Sequence, residues 1–321
     1  MSYLSRIAAA YNDTILSEEE LIYYARHVLL PGIGSDGQKK LKTARVLVIG
    51  AGGLGCPVLQ ALAGAGVGWI TIMDGDVVTL GNLARQWLFE TKNVGANKAR
   101  SAAEVLGDRN PFIEIRAVEA MLKASNAEAL IAGHDLVVDA TDQLEARYLI
   151  DTVCARLDRP WVHGALYRES GQASIFWQRA NASYAALYPE KTEAPDCASA
   201  GILGATASMI GNMQAQEVIK LITGSAVPAI GVIRIFNTMN FEVRQMKLPG
   251  IRKPEVFEVD QPEEMDHTIE WEHLEQRISI GERFKIIDLR SPEIFAESHF
   301  SGAENLSFES ILSDLPKLDD N

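Results

Sequence analysis

The chain has 321 residues and a formal net charge of −13 at pH 7, which argues against nucleic acid or an anionic membrane as its main partner. Hydrophobic residues make up 47% of it, which is ample for the core of one large domain or two unequal ones. No apolar run approaches the roughly 20 residues of a membrane span, and the three cysteines have no paired spacing. Composition therefore predicts a soluble, cytoplasmic protein without disulfides.

The stretch before the first predicted strand is helical in pattern. Ser17 precedes three glutamates, and Ser17 and Glu20 have the spacing of a capping box, which predicts a helix start. Arg26 follows in the same helical region, where a charged side chain ordinarily faces solvent. A second, shorter helix is predicted around residues 38–41.

A strand, a glycine-rich turn and a helix follow one another from residue 46. Branched apolar residues at 46–49 predict a strand buried on both faces, and Pro57 suits the first turn of the helix over 56–63. Glycines between them let the backbone turn tightly and approach a phosphate at the helix N-terminus; they are Gly50, Gly52, Gly53 and Gly55. The pattern is typical of a nucleotide-binding βαβ unit.

An acidic residue, Asp74, ends the next predicted strand, at the position where a ribose hydroxyl is usually bound. To this point the pattern fits an NAD dehydrogenase and an ATP-using enzyme equally well. The following loop is dense in side chains that bind sugar or phosphate, namely Asp76, Asn82, Arg85 and Gln86. A dehydrogenase has no need of such a loop, so these residues favour ATP.

Two further charged residues extend the predicted site. Lys98 stands near the start of a helix, where its charge is unfavourable unless an anion lies nearby; a solvated lysine is the plain alternative. The strand over 135–142 contains Asp139 and ends at Asp142, facing the ligand crevice of a parallel sheet. Asp142 is a candidate Mg²⁺ ligand, because Mg²⁺ takes one or two carboxylates plus substrate phosphates; a helix cap is the alternative.

The later elements predict a mixed sheet. Strands are expected at 160–165 and 171–177, a helix at 204–223 and an antiparallel hairpin over 233–248, while the polar stretch 179–201 has no clear element. The predicted fold is therefore α/β and Rossmann-like, with parallel strands first, antiparallel strands after and helices on both faces.

Together these motifs resemble the ubiquitin-activating-like superfamily, and within it the MoeB/ThiF-type adenylyltransferases. That family adenylates the C-terminus of small ubiquitin-like sulfur carriers. The resemblance runs from about residue 18 to 248 and rests on separated motifs that occur in the family's order. It implies ATP and Mg²⁺ as cofactors, a carrier protein ending in Gly-Gly as partner, and a homodimer.

The resemblance also implies roles for individual residues. Asp74 would hold the ribose of ATP, and Asp142 would hold Mg²⁺. Arg26 would reach into the ATP site of the other subunit. Three residues would contact the triphosphate: Asn82, Arg85 and Lys98. Asp76 and Gln86 match the motifs, and Gln86 has a less certain role.

The sequence departs from the family at its structural zinc site. The family usually carries two CxxC pairs, whose positions here hold Ser183 and Ala186, and Pro254 and Phe257. All four ligands are absent together, so no zinc is expected.

The third cysteine, Cys197, matches a loop cysteine that in some members links covalently to the carrier. It is therefore a candidate for a later step only, and a cysteine without chemistry is the alternative. Adenylation itself requires no side-chain nucleophile, because the attacking group is the carrier's own carboxylate.

The C-terminal part resembles the start of a rhodanese domain. Three prolines and many acids mark 249–266 as a linker between an adenylation domain, 1–248, and a partial rhodanese-like segment, 267–321. The match covers residues 287–293 and 299–303. No cysteine follows Cys197, so we expect either a fragment of a longer protein or a tail without sulfur transfer.

The favoured function is ATP-dependent adenylation of a sulfur carrier's C-terminal glycine carboxylate. Adenylation of another peptide or small carboxylate is the enzymatic alternative, and a nucleotide-binding scaffold without catalysis is the non-enzymatic one. Intact Arg85, Lys98 and Asp142 argue against the scaffold. An NAD dehydrogenase is disfavoured, because it leaves the polar residues of 82–98 unexplained.

Overall fold

The computed structural model describes residues 6–7, 10–189, 201–251, 271–279 and 284–306. The chain divides into two compact units. The first comprises Met1–Ile15 and Arg26–Val259, and the second comprises Leu16–Ala25 and Asp260–Asn321. In the described part of the chain, no helix is long and apolar enough to cross a bilayer.

The first unit is built on one eight-stranded sheet. Its strands are β1 (Arg45–Ile49), β2 (Trp69–Met73), β3 (Glu114–Val118), β4 (Leu136–Asp139), β5 (Trp161–Tyr167), β6 (Ser170–Phe176), β7 (Val232–Asn237) and β8 (Glu242–Lys247). Helices are numbered in chain order, and the first, α1 (Glu18–Tyr23), belongs to the second unit. The first unit has α2 (Ala25–Val28), α3 (Gly34–Thr43), α4 (Gly55–Ala65), α5 (Lys98–Arg109), α6 (Ala124–Ala132), α7 (Leu144–Leu157), α8 (Tyr184–Leu187) and α9 (Gly204–Thr223).

The strand order confirms the predicted mixed sheet. Across the sheet the order is β3-β2-β1-β4-β5-β6-β7-β8. The first five strands in that order are mutually parallel, and β6, β7 and β8 pair antiparallel. Parallel neighbours need crossover helices, so both faces of this half are covered, as the unbroken apolar run in β1 requires.

Side chains of β1 alternate between two apolar cores, one on each face of the sheet. Val46 and Val48 pack in the core that also holds Leu59 and Leu62 of α4. Leu47 and Ile49 pack in the opposite core, which also contains Ile150, Val153, Trp161 and Phe176. Because the central strands are fixed from both sides, their carboxyl ends form a rigid edge, and the turns that leave them carry the candidate site.

The stretch predicted to lack regular structure contains a short helix. In α8 (Tyr184–Leu187), Ser183 is the N-cap and accepts a hydrogen bond from the Ala186 N–H at 3.3 Å. The Ser183 hydroxyl donates to Asp151 Oδ2 at 2.9 Å, and the same carboxylate accepts from the backbone N–H groups of Tyr184 and Ala185. A buried aspartate therefore anchors the chain where the family resemblance places its first cysteine pair. Pro254 and Phe257 lie outside the described residues.

The second unit includes α1 (Glu18–Tyr23), α10 (Trp271–Ser279), β9 (Ile287–Asp288), α11 (Pro292–Glu297) and β10 (Glu304–Asn305). The predicted capping box of α1 is confirmed: Ser17 Oγ accepts from Glu20 N at 3.1 Å, and Glu20 Oε2 accepts from Ser17 N at 2.8 Å. β9 and β10 pair in parallel. β9 is short, since only Ile287 and Asp288 pair with β10.

Candidate active site

A cleft of about 450 Å³ opens at the carboxyl ends of β1, β2 and β4, a size usual for small-molecule sites. It lies where a parallel sheet of this kind binds ligands. Its lining contains most of the residues singled out by the sequence, namely Gly50, Gly52, Gly53, Asp74, Asp76, Asn82, Arg85, Gln86, Lys98 and Asp142.

The glycines of the β1–α4 turn divide into two kinds. Gly50 has φ +98°, and a Cβ there would lie 2.6 Å from the Ala140 carbonyl oxygen. A Cβ on Gly55 would lie 2.0 Å from the Gly50 carbonyl oxygen. Both positions therefore exclude side chains for reasons of backbone packing. Gly52 and Gly53 line the cleft, as Gly50 does, but nothing lies closer than 3.5 Å to their missing Cβ atoms. Gly55 is not among the lining residues.

Asp74 joins the glycine turn to the loop after β2. Its Oδ2 accepts from Ala51 N at 2.7 Å, and its Oδ1 accepts from Asp76 N at 2.8 Å. Burial raises the pKa of this carboxyl, opposed by those two backbone hydrogen bonds and by Lys98. Each carboxylate oxygen keeps a second lone pair. Asp74 can thus accept from a ribose hydroxyl while it fixes the turn.

Lys98 is the first residue of α5, and its nearby anion is Asp76. Lys98 Nζ lies 3.1 Å from Asp76 Oδ2, and the lysine side chain is 10% exposed against 61% for the aspartate. Asn97, the N-cap of α5, donates from Nδ2 to the carbonyl oxygens of Asp74 and Asp76 at 3.1 Å each. The ammonium group is thereby held at the cleft by a partner that is mostly solvated.

The loop between β2 and α5 supplies the other polar groups. Asn82 Oδ1 accepts from Thr79 N at 3.0 Å, which closes a 3₁₀ turn over Leu80–Asn82. Arg85 donates to the Gly81 carbonyl at 3.0 Å, so part of its guanidinium is used to hold the loop. Gln86 is buried, and its Oε1 has no hydrogen-bond partner in the described part of the chain.

Asp142 lies on the turn between β4 and α7. Its side chain is exposed in the cleft lining and makes no hydrogen bond or ion pair with the described residues. An exposed carboxylate beside a basic cleft suits Mg²⁺ held jointly with phosphates. No group of three or more His, Cys, Asp or Glu side chains among the described residues is placed to hold a metal alone. The donor set therefore fits a metal that arrives with a nucleotide.

Behind Asp142 lies a buried network of polar side chains that no sequence motif indicates. Asp139 is fully buried and contacts Thr141, Arg147 and His163. Burial alone would raise the pKa of Asp139, but the His163 hydrogen bond, the Arg147 charge and the Thr141 N–H lower it overall. Burial lowers the pKa of His163, so its ring is neutral at pH 7. Arg147 also lines the cleft.

Besides Gly55, the remaining predicted site residues are Arg26 and Cys197. Arg26 lies in α2 with an exposed side chain and is not among the residues that line the cleft of its own chain. Cys197 lies outside the described residues. The other two cysteines, Cys56 and Cys154, are buried and free. Burial raises the pKa of the Cys56 thiol to about 12, so it remains a thiol at neutral pH.

Comparison with known proteins gives close relatives. The model of the ThiF family matches residues 24–256. A probable adenylyltransferase/sulfurtransferase MoeZ of Mycobacterium tuberculosis is 38% identical over 313 residues, which cover 90% of this chain and 79% of that protein. The molybdopterin-synthase adenylyltransferase of Escherichia coli is 41% identical over 235 residues, which cover 73% of this chain and 94% of that protein.

Solved structures share the fold at lower identity. A crystal structure of PaaA has a TM-score of 0.65 and 21% identity, and the match covers 75% of this chain and 76% of PaaA. A crystal structure of Escherichia coli MccB with ATP has a TM-score of 0.59 and 20% identity over 77% of this chain and 75% of MccB. These structures support the fold. Since the family model spans most of the first unit, the chain belongs to the ThiF family.

Proposed function

We propose that this protein is an ATP-dependent adenylyltransferase that activates the C-terminal glycine carboxylate of a ubiquitin-like sulfur-carrier protein. One observation carries the proposal: Arg85, Lys98 and Asp142 line the same cleft as the open glycines of the β1–α4 turn. Two basic side chains, with a carboxylate that has no partner among the described residues, suit a triphosphate and its metal. The relatives named as adenylyltransferases support the reaction class.

The reaction joins the carrier's carboxylate to AMP. A carboxylate oxygen forms a bond to the α-phosphorus of ATP, the bond between that phosphorus and the β-bridging oxygen breaks, and pyrophosphate leaves with the electron pair. Negative charge grows on the phosphate oxygens, and Arg85 and Lys98 are placed to neutralise it. The rest of the catalysis is alignment of two bound reactants.

Asp142 is the residue that would hold Mg²⁺. When bound, the metal would supply positive charge to the phosphates and orient them. Asp74 would bind the ribose, because its two oxygens keep lone pairs beside the glycine turn. Asn82 would bind the triphosphate together with Arg85 and Lys98. Gln86 Oε1, buried without a partner in the described structure, would accept from a donor of the nucleotide.

A carrier protein is proposed rather than a small acid because the Escherichia coli relative, named molybdopterin-synthase adenylyltransferase, matches over 94% of its own length. Adenylation is assigned to residues 1–248, while the linker, 249–266, and the rhodanese-like segment, 267–321, have no part in it.

A cytoplasmic location belongs to the same proposal, supported by the free Cys56 and Cys154. The test is carrier-dependent exchange of labelled pyrophosphate into ATP, with proteins ending in Gly-Gly offered one at a time.

A homodimer with shared sites is also proposed, and Arg26 is the residue on which this part of the proposal depends. It is exposed outside its own cleft, and the resemblance gives it a role in the partner's site. Mixing Arg26→Ala chains with Asp142→Ala chains should therefore restore exchange, because one of the two sites in each heterodimer keeps both residues. Heterodimers verified by differential tags that recover no activity above either parent would contradict the shared site.

We further propose that the chain binds no structural zinc. Ser183 stands at a position of the first cysteine pair, and its hydroxyl is engaged with Asp151 and the cap of α8. Hydroxyl oxygen is a poor replacement for the thiolates of such sites. Metal analysis of the purified protein should give far less than one zinc per chain, and a stoichiometric zinc would overturn this assignment.

A further inference from the structure

We propose, on the basis of the adenylation function above, that His163 is a positioning residue that fixes Asp142 through Asp139 and Thr141. The assignment concerns a buried histidine of β5 that is not among the described residues lining the cleft. The proposed Mg²⁺ site at Asp142 then depends on a second group of residues, which lies behind the Asp142 carboxylate.

The Asp139 carboxylate accepts four hydrogen bonds. Its Oδ1 accepts from Thr141 N at 3.0 Å and from Thr141 Oγ1 at 2.8 Å. Its Oδ2 accepts from His163 Nδ1 at 3.0 Å and from Arg147 Nε at 3.3 Å. One carboxylate thus joins the end of β4 to the following turn, to α7 and to β5. Because both oxygens have partners, its orientation is fixed.

Thr141 is held at three polar atoms. Besides the two bonds to Asp139, its carbonyl oxygen accepts from Arg147 Nη2 at 3.0 Å. Asp142 follows directly, and its side chain has no hydrogen-bond or ion-pair partner among the described residues. The direction in which the Asp142 carboxylate enters the cleft is therefore set by the peptide before it, and that peptide is set by Asp139 and Arg147.

The contacts of His163 define its tautomer. Asp139 accepts, so Nδ1 carries the proton and donates. Gln172 Nε2 lies 3.3 Å from His163 Nε2 and donates to its lone pair. The neutral ring thus satisfies both neighbours without adding charge, and Arg147 balances Asp139. Trp161, Phe176 and Tyr184 have ring centroids 5.4 to 6.0 Å from the His163 ring, so aromatic side chains surround this buried donor.

Removal of the His163 donor leaves Oδ2 with Arg147 alone, at the longest of the four distances. The carboxylate then turns toward Arg147, and its bonds to Thr141 weaken. The weakened contacts of Thr141 then allow the Asp142 carboxylate to move within the cleft. This movement should therefore weaken binding of a metal–nucleotide complex and leave binding of the metal-free nucleotide unchanged. Residues behind metal ligands commonly change metal affinity or activity by about 10 to 100-fold.

Two amide variants separate positioning from simple packing. His163→Asn places an amide nitrogen near the Nδ1 position and keeps a donor to Asp139, whereas His163→Gln places its amide near the Nε2 position and loses that donor. Calorimetry with a non-hydrolysable ATP analogue, with and without Mn²⁺, should give about 10-fold weaker Mn²⁺–nucleotide binding for His163→Gln. His163→Asn should bind like the wild type, and metal-free binding should be equal in all three proteins.

Equal Mn²⁺–nucleotide affinity in both variants and the wild type would overturn the assignment, as would equal losses with and without metal. If His163→Gln does not fold, as judged by thermal melting, Thr141→Val decides the matter, because it removes one donor to Asp139 at constant volume. It should show the same metal-specific weakening, and unchanged affinity would refute the proposal. These readouts need no carrier, so a wild type that binds nucleotide but performs no exchange would defeat the proposed function alone.

Discussion

Replacing Asp142 with alanine should lower carrier-dependent pyrophosphate exchange by about 10²-fold or more, by analogy with the loss of other electrostatic stabilisers. Its carboxylate is exposed in the cleft, has no partner among the described residues, and is the proposed Mg²⁺ ligand. The measurement is the initial exchange rate at saturating ATP and carrier over a series of Mg²⁺ concentrations.

Asp142→Asn is the matched control, since it removes the charge and keeps the shape. It should lose nearly as much activity, because the amide oxygen is a weaker ligand for a hard cation. Neither variant should lower the melting temperature by more than a few degrees, since no described hydrogen bond or ion pair is removed. Exchange at the wild-type rate by a folded Asp142→Ala protein would show that the metal role is misassigned.

Lys98→Ala should also reduce exchange by about 10²-fold, because a positive charge beside the triphosphate is lost. The loss should appear both in kcat and in the KM for ATP if the ammonium contacts phosphate in the ground and transition states. Its ion pair with Asp76, which is 61% exposed, adds little to stability. A normal melting temperature with deficient exchange is therefore the expected combination.

Asp76→Asn separates the phosphate role of Lys98 from its ion pair. This variant removes the charge 3.1 Å from Lys98 Nζ and leaves the ammonium group in place. Its loss of exchange should be clearly smaller than that of Lys98→Ala. If the two variants are equally impaired, Lys98 acts by holding the loop rather than by binding the triphosphate.

Much of the fold could be predicted because its signals are local. The run 46–49, the glycine turn and the helix after it occur within a short stretch, and parallel strand ends must share one edge. Placement of Asp74, Lys98 and Asp142 around one cleft follows from that topology. The hairpin of β7 and β8 also has a local signal, an apolar run interrupted by a turn.

Features that depend on long-range pairing could not be predicted. His163 contacts Asp139 because β4 and β5 are neighbouring strands whose register places the two residues side by side. The local sequence of neither strand indicates this contact. The four residues of α8 are too few to show helical periodicity, and their anchor, Asp151, belongs to a distant helix. The strand predicted to reach 142 ends at Asp139, because the backbone turns at Ala140 against Gly50.

The anion beside Lys98 is another feature that the local sequence does not identify. A lysine at a helix start requires a nearby anion, and the sequence does not say whether a ligand or the protein supplies it. The structure supplies one from the protein, since the loop after β2 folds back and places Asp76 beside Lys98. The helix position therefore explains the ion pair, while the phosphate contact remains part of the proposed function.

Exchange of labelled pyrophosphate into ATP by the wild-type protein with Mg²⁺ is the direct test of the proposed adenylation. We expect exchange that depends on a ubiquitin-like carrier, that disappears when the carrier's last glycine is deleted, and that is almost unchanged in Cys197→Ala, because the attacking group is the carrier's carboxylate. Exchange lost in Cys197→Ala but retained in Asp142→Ala and Lys98→Ala would contradict the assigned roles. No exchange with any carrier ending in Gly-Gly would contradict the proposed function itself.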